Sequence, residues 1–138
     1  MTNVRNKGFT LIEMVIIMVI VAILVSLAIP SFKDTIRKSR RSDAMDTLMD
    51  IHLTKERFRV NNPNYGPAGT DTITSPGGHY SVSLIIPAAP ANITDYSIVA
   101  TPLNDQANDS CPDFTLAVAA GTITKTTGGA ADPLCWKK

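Results

Sequence analysis

This sequence of 138 residues is poor in the residue types that most reactions need. It has two histidines and two cysteines. His52 and His79 do not form a spaced pair on one helix, and no HExxH or phosphate-loop pattern occurs. Two cysteines are too few for a four-cysteine zinc module or a disulfide-dense miniature scaffold. Asp105, Asp109 and Asp113 do not follow EF-hand spacing, and no nucleophile sits beside a base. The expectation is a non-enzyme with no cofactor and no metal. Charge is scarce as well. Charged residues make up 18% of the chain, against roughly 25% in an average soluble domain. The net charge of +1 gives no bulk basic excess for nucleic acid. A hydrophobic fraction of 44% excludes a disordered tail, and the length suits one ordinary domain.

What is present is unevenly distributed. Residues 9–29 read FTLIEMVIIMVIVAILVSLAI, 21 residues with Glu13 as their one charge. As a helix this run is roughly 30 Å long, one hydrocarbon thickness. If it is membranous, about 110 residues remain, a small domain that a long helix and a disulfide would help to stabilise. Up to residue 60 the net charge is +4; beyond it Lys125, Lys137 and Lys138 face six aspartates, a net of −3.

Arg5 and Lys7 precede the apolar run as in a secretory signal. The run is about twice the length of an ordinary signal core, and no small-x-small cleavage site follows it. A carboxylate deep in lipid costs on the order of 2.5–3.5 kcal/mol on insertion scales, and a simple anchor has no reason to keep Glu13. Gly8 removes side-chain bulk where a membrane-face protease would cut. Cleavage after Gly8 would remove both leader cations, which hold that end of the helix at the cytoplasmic face. It would also create an amine at Phe9, one helical turn from Glu13. A neighbouring subunit's amine can then serve as the cation partner of that carboxylate, and the span becomes an assembly element.

Gly8-Phe9-Thr10-Leu11-Ile12-Glu13, the apolar run and Ala28-Ile29-Pro30-Ser31-Phe32 closely resemble the class III signal of type IV pilins over about the first 40 residues. The resemblance implies a leader at 1–8, removed after Gly8 by prepilin peptidase, with N-methylation of Phe9. It implies that Glu13 sets subunit registration in a helical filament. Ala22 departs from the glycine that many members carry there. Pro30 remains as the helix break, since proline removes a helix hydrogen bond.

Residues 9–30 are thus the transmembrane and filament-core helix, and 31–60 its amphipathic continuation. Phe32, Ile36, Ala44, Leu48, Ile51 and Phe58 recur at helical spacing. Lys33, Arg37, Lys38, Arg40 and Arg41 cluster just beyond the apolar run, either as a solvated face or as inter-subunit ion-pair partners. With the leader end inside, they sit against the positive-inside rule. Residues 61–138 form the head. Its first part, 61–78, reads as a turn-rich connector. Strands are predicted at His79–Ile86, Thr94–Thr101, Asp113–Ala119 and Gly121–Thr126 from period-two alternation. The fold class is α+β: a long N-terminal helix packed on a four-stranded antiparallel sheet.

In an exported head, Cys111 and Cys135 would form a disulfide. Closing a loop of 25 residues is worth roughly 3–4 kcal/mol in the chain-entropy model. The arrangement resembles the C-terminal disulfide region of pilins. Tyr96-Ser97-Ile98-Val99-Ala100-Thr101-Pro102, Arg40-Arg41-Ser42-Asp43-Ala44, Glu56-Arg57-Phe58 and Cys135-Trp136 are similar to PilE-type minor pilins. The function expected is a structural, minor subunit of a type IV pilus. Its partners would be other pilin subunits, prepilin peptidase and the assembly machinery. It would lie single-pass in the inner membrane, head outside, and then in the extracellular pilus. A DNA-binding competence pilin is the first alternative, with Lys125, Lys137, Lys138, Arg57 and Arg59 as phosphate contacts. The acidic head and the single cysteine pair disfavour it. A type II secretion pseudopilin is the second, disfavoured by the terminal disulfide.

Overall fold

The computed structural model describes residues 8–137; residues 1–7, which hold most of the expected 1–8 leader, residue 138 and the side chains at 28–31 and 92 lie outside the described residues. The chain divides into two compact units, one ending at Thr35 and one beginning at Ile36. Helix α1 (Leu11–Asn61) supplies residues to both. Its assignment is continuous across position 30.

In the first unit the helix starts on a reciprocal cap. The Thr10 amide donates to Glu13 Oε2 at 3.4 Å, and the Glu13 amide donates to Thr10 Oγ1 at 3.3 Å. This is the capping-box arrangement of a Thr followed three residues later by Glu. Among the described residues, none of the apolar run behind it as far as Leu27 is buried. Its most apolar window has a mean hydropathy of 3.0 and none of it is buried.

The second unit is built on a five-stranded antiparallel sheet in the order β1-β2-β3-β4-β5. The strands are β1 (Gly69–Thr74), β2 (Tyr80–Ile86), β3 (Tyr96–Pro102), β4 (Phe114–Ala119) and β5 (Thr122–Thr126). The three inner strands alternate as their sequence predicts. Tyr80, Val82, Leu84 and Ile86 are buried on β2, Tyr96, Ile98 and Ala100 on β3, and Phe114, Leu116 and Val118 on β4. The register puts these residues in rows: Leu84 opposite Ile98, and Ile98 opposite Leu116. Ala44, Met45 and Leu48 of α1 complete the core, with Ile51 packed at its edge. Phe58, expected on the packing face, is exposed.

The expectation of four strands is corrected to five. β1 lies inside the segment read as a connector, and every one of its residues is exposed. With Gly69, three threonines and a lone Ile73 it has no alternating apolar pattern to detect. It is a strand because its backbone pairs with β2 from Gly69↔Ile86 to Thr74↔Ser81. At the other edge, Ala120 (φ 48°) and Gly121 (φ 80°) link β4 to β5. Both sit in the left-handed region that a two-residue hairpin of the primed type requires, and glycine adopts it without a Cβ clash.

Candidate functional site

Two features carry functional information: the bare apolar run of the first unit, and the joints by which α1 holds the sheet of the second. In the first, Phe9, Leu11 and Ile12 are exposed together with the apolar residues as far as Leu27. A continuous apolar surface of this length is stable only against lipid or against other apolar helices. Glu13 stands one turn into it. Sequence reasoning gave Glu13 a docking role only; the cap on Thr10 is a second role, legible in the Thr-x-x-Glu spacing.

The joints explain two of the short strings noted in the sequence. In Arg40-Arg41-Ser42-Asp43-Ala44, Arg41 and Asp43 grip two different loops of the head, on either side of Tyr80 in the hydrogen-bond network. Arg41 Nε donates to Asp109 Oδ2 at 2.7 Å and its Nη2 to Asp109 Oδ1 at 2.5 Å. The two side chains retain 9% and 4% of their exposure, so this is a buried, bidentate pair. Burial alone would push the Asp109 carboxyl upward. The hydrogen bonds and charge of Arg41, with the Ser110 and Cys111 amides, outweigh it and hold the carboxyl below its ordinary value. Gln106, which sequence pattern gave no reason to single out, is buried beside the pair and donates to Asp109 Oδ2 and to the Tyr80 hydroxyl. Burial pushes the Tyr80 phenol up to about 12.

Asp43 fixes the turn between β1 and β2. It accepts from the Ser75 hydroxyl at 2.6 Å and the Gly77 amide at 2.9 Å. In Glu56-Arg57-Phe58 the working residue is Glu56. Its Oε1 accepts from the hydroxyls of Tyr65 at 3.2 Å and Tyr96 at 3.1 Å. His52 Nδ1 lies 2.5 Å from the same Tyr96 hydroxyl, which makes His52 a half-buried packing residue. Burial, then the hydrogen bond and charge of Glu56, drive the Tyr96 phenol far above its usual range.

The basic cluster is used in a way neither sequence reading foresaw. Arg37 reaches Asp105 at 2.9 Å and Arg41 reaches Asp109, both within the chain and 68 residues away. Two of the five cations beyond the apolar run are therefore partnered by the head itself. Cys111 and Cys135 form a disulfide. Phe114 packs on Trp136 edge to face at 5.4 Å, and the indole N–H donates to the Thr126 carbonyl. The disulfide region is thereby tied to β4 and β5. Among the described residues no group of three or more His, Cys, Asp or Glu side chains could hold a metal ion.

Comparison with known proteins follows this geometry. Residues 3–29 match the model of the prokaryotic N-terminal methylation motif. The chain is similar to the type IV major pilin protein PilA of Myxococcus xanthus, 36% identical over 63 residues, 46% of this chain and 29% of that one. It is similar to the type II secretion system core protein G of Pectobacterium carotovorum subsp. carotovorum, 28% identical over 61 residues, 44% and 39% of the two chains. It is also similar to the prepilin peptidase-dependent protein D of Escherichia coli, 27% identical over 113 residues, 75% and 77% of the two chains. The chain thus spans less than half the length of the first two of these relatives. No solved structure matches it. The model described as type IV minor pilin ComP, DNA uptake sequence receptor, matches residues 30–115, more than half of the chain, and the chain belongs to that family of type IV minor pilins.

Proposed function

We propose that this minor pilin is a structural subunit whose α1 run is first a membrane anchor and then a filament-core element. Prepilin peptidase cuts after Gly8, and Phe9 becomes the methylated N-terminus. The Glu13 carboxylate then pairs with the amine of a neighbouring subunit, which relieves the penalty of a charge in an apolar setting. The head lies outside the inner membrane until assembly carries the subunit into the extracellular pilus. Pro30 has no N–H to offer the Ser26 carbonyl, so the helix loosens most readily there. The observation that carries this reading is the exposure of the apolar run from Phe9 to Leu27, in a chain matched by the N-terminal methylation motif.

The test separates the two roles of Glu13. Glu13→Gln preserves the capping box and removes the charge, whereas Glu13→Ala removes both. Both variants should be processed and both should incorporate poorly into sheared surface filaments, measured by mass spectrometry of the mature N-terminus. Normal incorporation of Glu13→Gln would leave only the capping role. Normal incorporation of a variant that cannot be cut at Gly8 would refute the processing step.

A second reading, DNA binding, is supported by the description of the matching family. Phosphate contact would make affinity fall steeply with salt. Absence of duplex binding by the purified protein at low salt would remove this reading.

A further inference from the structure

A cavity of about 640 Å³ opens beside the disulfide, walled by Lys38, Ser39 and Arg41 of α1 and by Ser110, Asp132 and Lys137 of the head. We propose that this cavity receives a phosphoethanolamine headgroup of a membrane phospholipid. The proposal rests on the membrane-anchored stage of the subunit described above.

Its charges are of two kinds. Lys38 and Lys137 are exposed, and neither has an ion-pair partner among the described residues. Arg41 spends Nε and Nη2 on Asp109 and Ser110, which leaves Nη1 without a hydrogen bond among the described residues. These cations, with the Ser39 hydroxyl, suit a phosphodiester. The opposite charge is Asp132. Its Oδ1 accepts from the Leu134 amide at 2.9 Å. Its Oδ2 lies 3.4 Å from Cys135 Sγ, a disulfide sulfur with no proton to give. Asp132 thus keeps an acceptor for a cationic group. A purely anionic ligand would meet Asp132 as a repulsive wall, as would the phosphates of duplex DNA, which bring no cation of their own. A zwitterion with a phosphate and a primary ammonium satisfies both charges.

The source of the ligand follows from chain reach. Lys38 is nine residues beyond Ile29, the last residue of the apolar run. Nine residues rise about 14 Å as helix, the form this stretch has in α1. The headgroup layer is itself roughly 5–8 Å deep on each side. Along that helix Lys38 lies no more than about 10 Å beyond the layer. The cavity volume is in the range of ordinary small-ligand sites, roughly 300–1,000 Å³.

The experiment uses the full chain in phosphatidylcholine vesicles doped with phosphatidylethanolamine or phosphatidylglycerol. Co-purifying lipid is read by native mass spectrometry. One phosphatidylethanolamine per chain should be retained, roughly tenfold over either other lipid, the factor expected from one charge-assisted hydrogen bond. The pair Lys38→Ser and Lys137→Ser should abolish retention of that lipid. Asp132→Asn, which can still accept from the Leu134 amide, should bind phosphatidylethanolamine and phosphatidylglycerol alike. Soluble O-phosphoethanolamine should compete better than inorganic phosphate. Equal retention of the three lipids, or retention untouched by the lysine variants, would overturn the proposal. Displacement by a short DNA duplex in preference to O-phosphoethanolamine would overturn it too and assign the cavity to nucleic acid. Failure to insert into vesicles of any composition would instead overturn the anchored stage on which it rests.

Discussion

Removing the guanidinium that joins α1 to the head tests how the head is mounted. Arg41→Ala leaves the Asp109 carboxylate, with 4% of its side-chain exposure, facing an empty space. Loss of one partner from a buried ion pair costs about 3–5 kcal/mol, because the remaining charge is stranded out of water. Total stabilities run about 5–15 kcal/mol, so this is a large fraction. At about 4–8 °C per kcal/mol for a unit of this size, the unfolding midpoint should fall by at least about 12 °C. The assay is thermal unfolding of the full-length protein in detergent, followed by near-ultraviolet circular dichroism. Its pH dependence provides a second check. The Asp109 carboxyl is held low in the folded state. The stability the pair confers is therefore present above the unfolded carboxylate range and is lost as pH falls through the folded value. The gap between wild type and variant should be widest near neutrality and close below about pH 4. The double variant Arg41→Met, Asp109→Leu should recover most of the loss, since a buried pair is often replaced by apolar groups of similar size at little cost. A midpoint shift under about 3 °C at pH 7, or a gap that widens in acid, would refute the reasoning.

Three further outcomes are expected. Replacing Cys111 and Cys135 by Ser should lower the stability of the oxidised protein by roughly 3–4 kcal/mol, read from urea midpoints with and without reductant; identical midpoints would deny the cross-link a stabilising role. A Cβ at Gly77 would lie 2.7 Å from Asp43 Oδ2, so Gly77→Ala should cost about 1–2 kcal/mol and speed amide hydrogen exchange in the β1–β2 turn, with unchanged exchange as the contrary result. Tyr65, Tyr80 and Tyr96 are all raised, by burial first. Their contribution to stability should be complete below about pH 10, then fall as pH rises through their folded values. Tyrosinate absorbance should then appear together with unfolding; full ionisation near pH 10 with the fold intact would contradict this.

The apolar run and the three inner strands were legible because each obeys a local rule. Twenty-one residues with one charge need no partner to be recognised. Tyr80, Val82, Leu84 and Ile86 alternate because one face of β2 is buried and the other is not. The Thr10–Glu13 cap was also written locally. β1 was not, since its six exposed residues carry no pattern and become a strand only through pairing with β2.

The short string around Arg41 and Asp43 was visible as a resemblance, but its purpose was not. Whether Arg41 faces solvent, a second subunit or Asp109 is decided 68 residues away, by the turn that brings Asp109 against α1. Composition placed the cations beside the apolar run. Only the tertiary structure decided that Arg37 and Arg41 are neutralised by the head while Lys38 is joined by Lys137 at a cavity. Charges act over a few ångströms through space, and a linear order of residues does not state those distances.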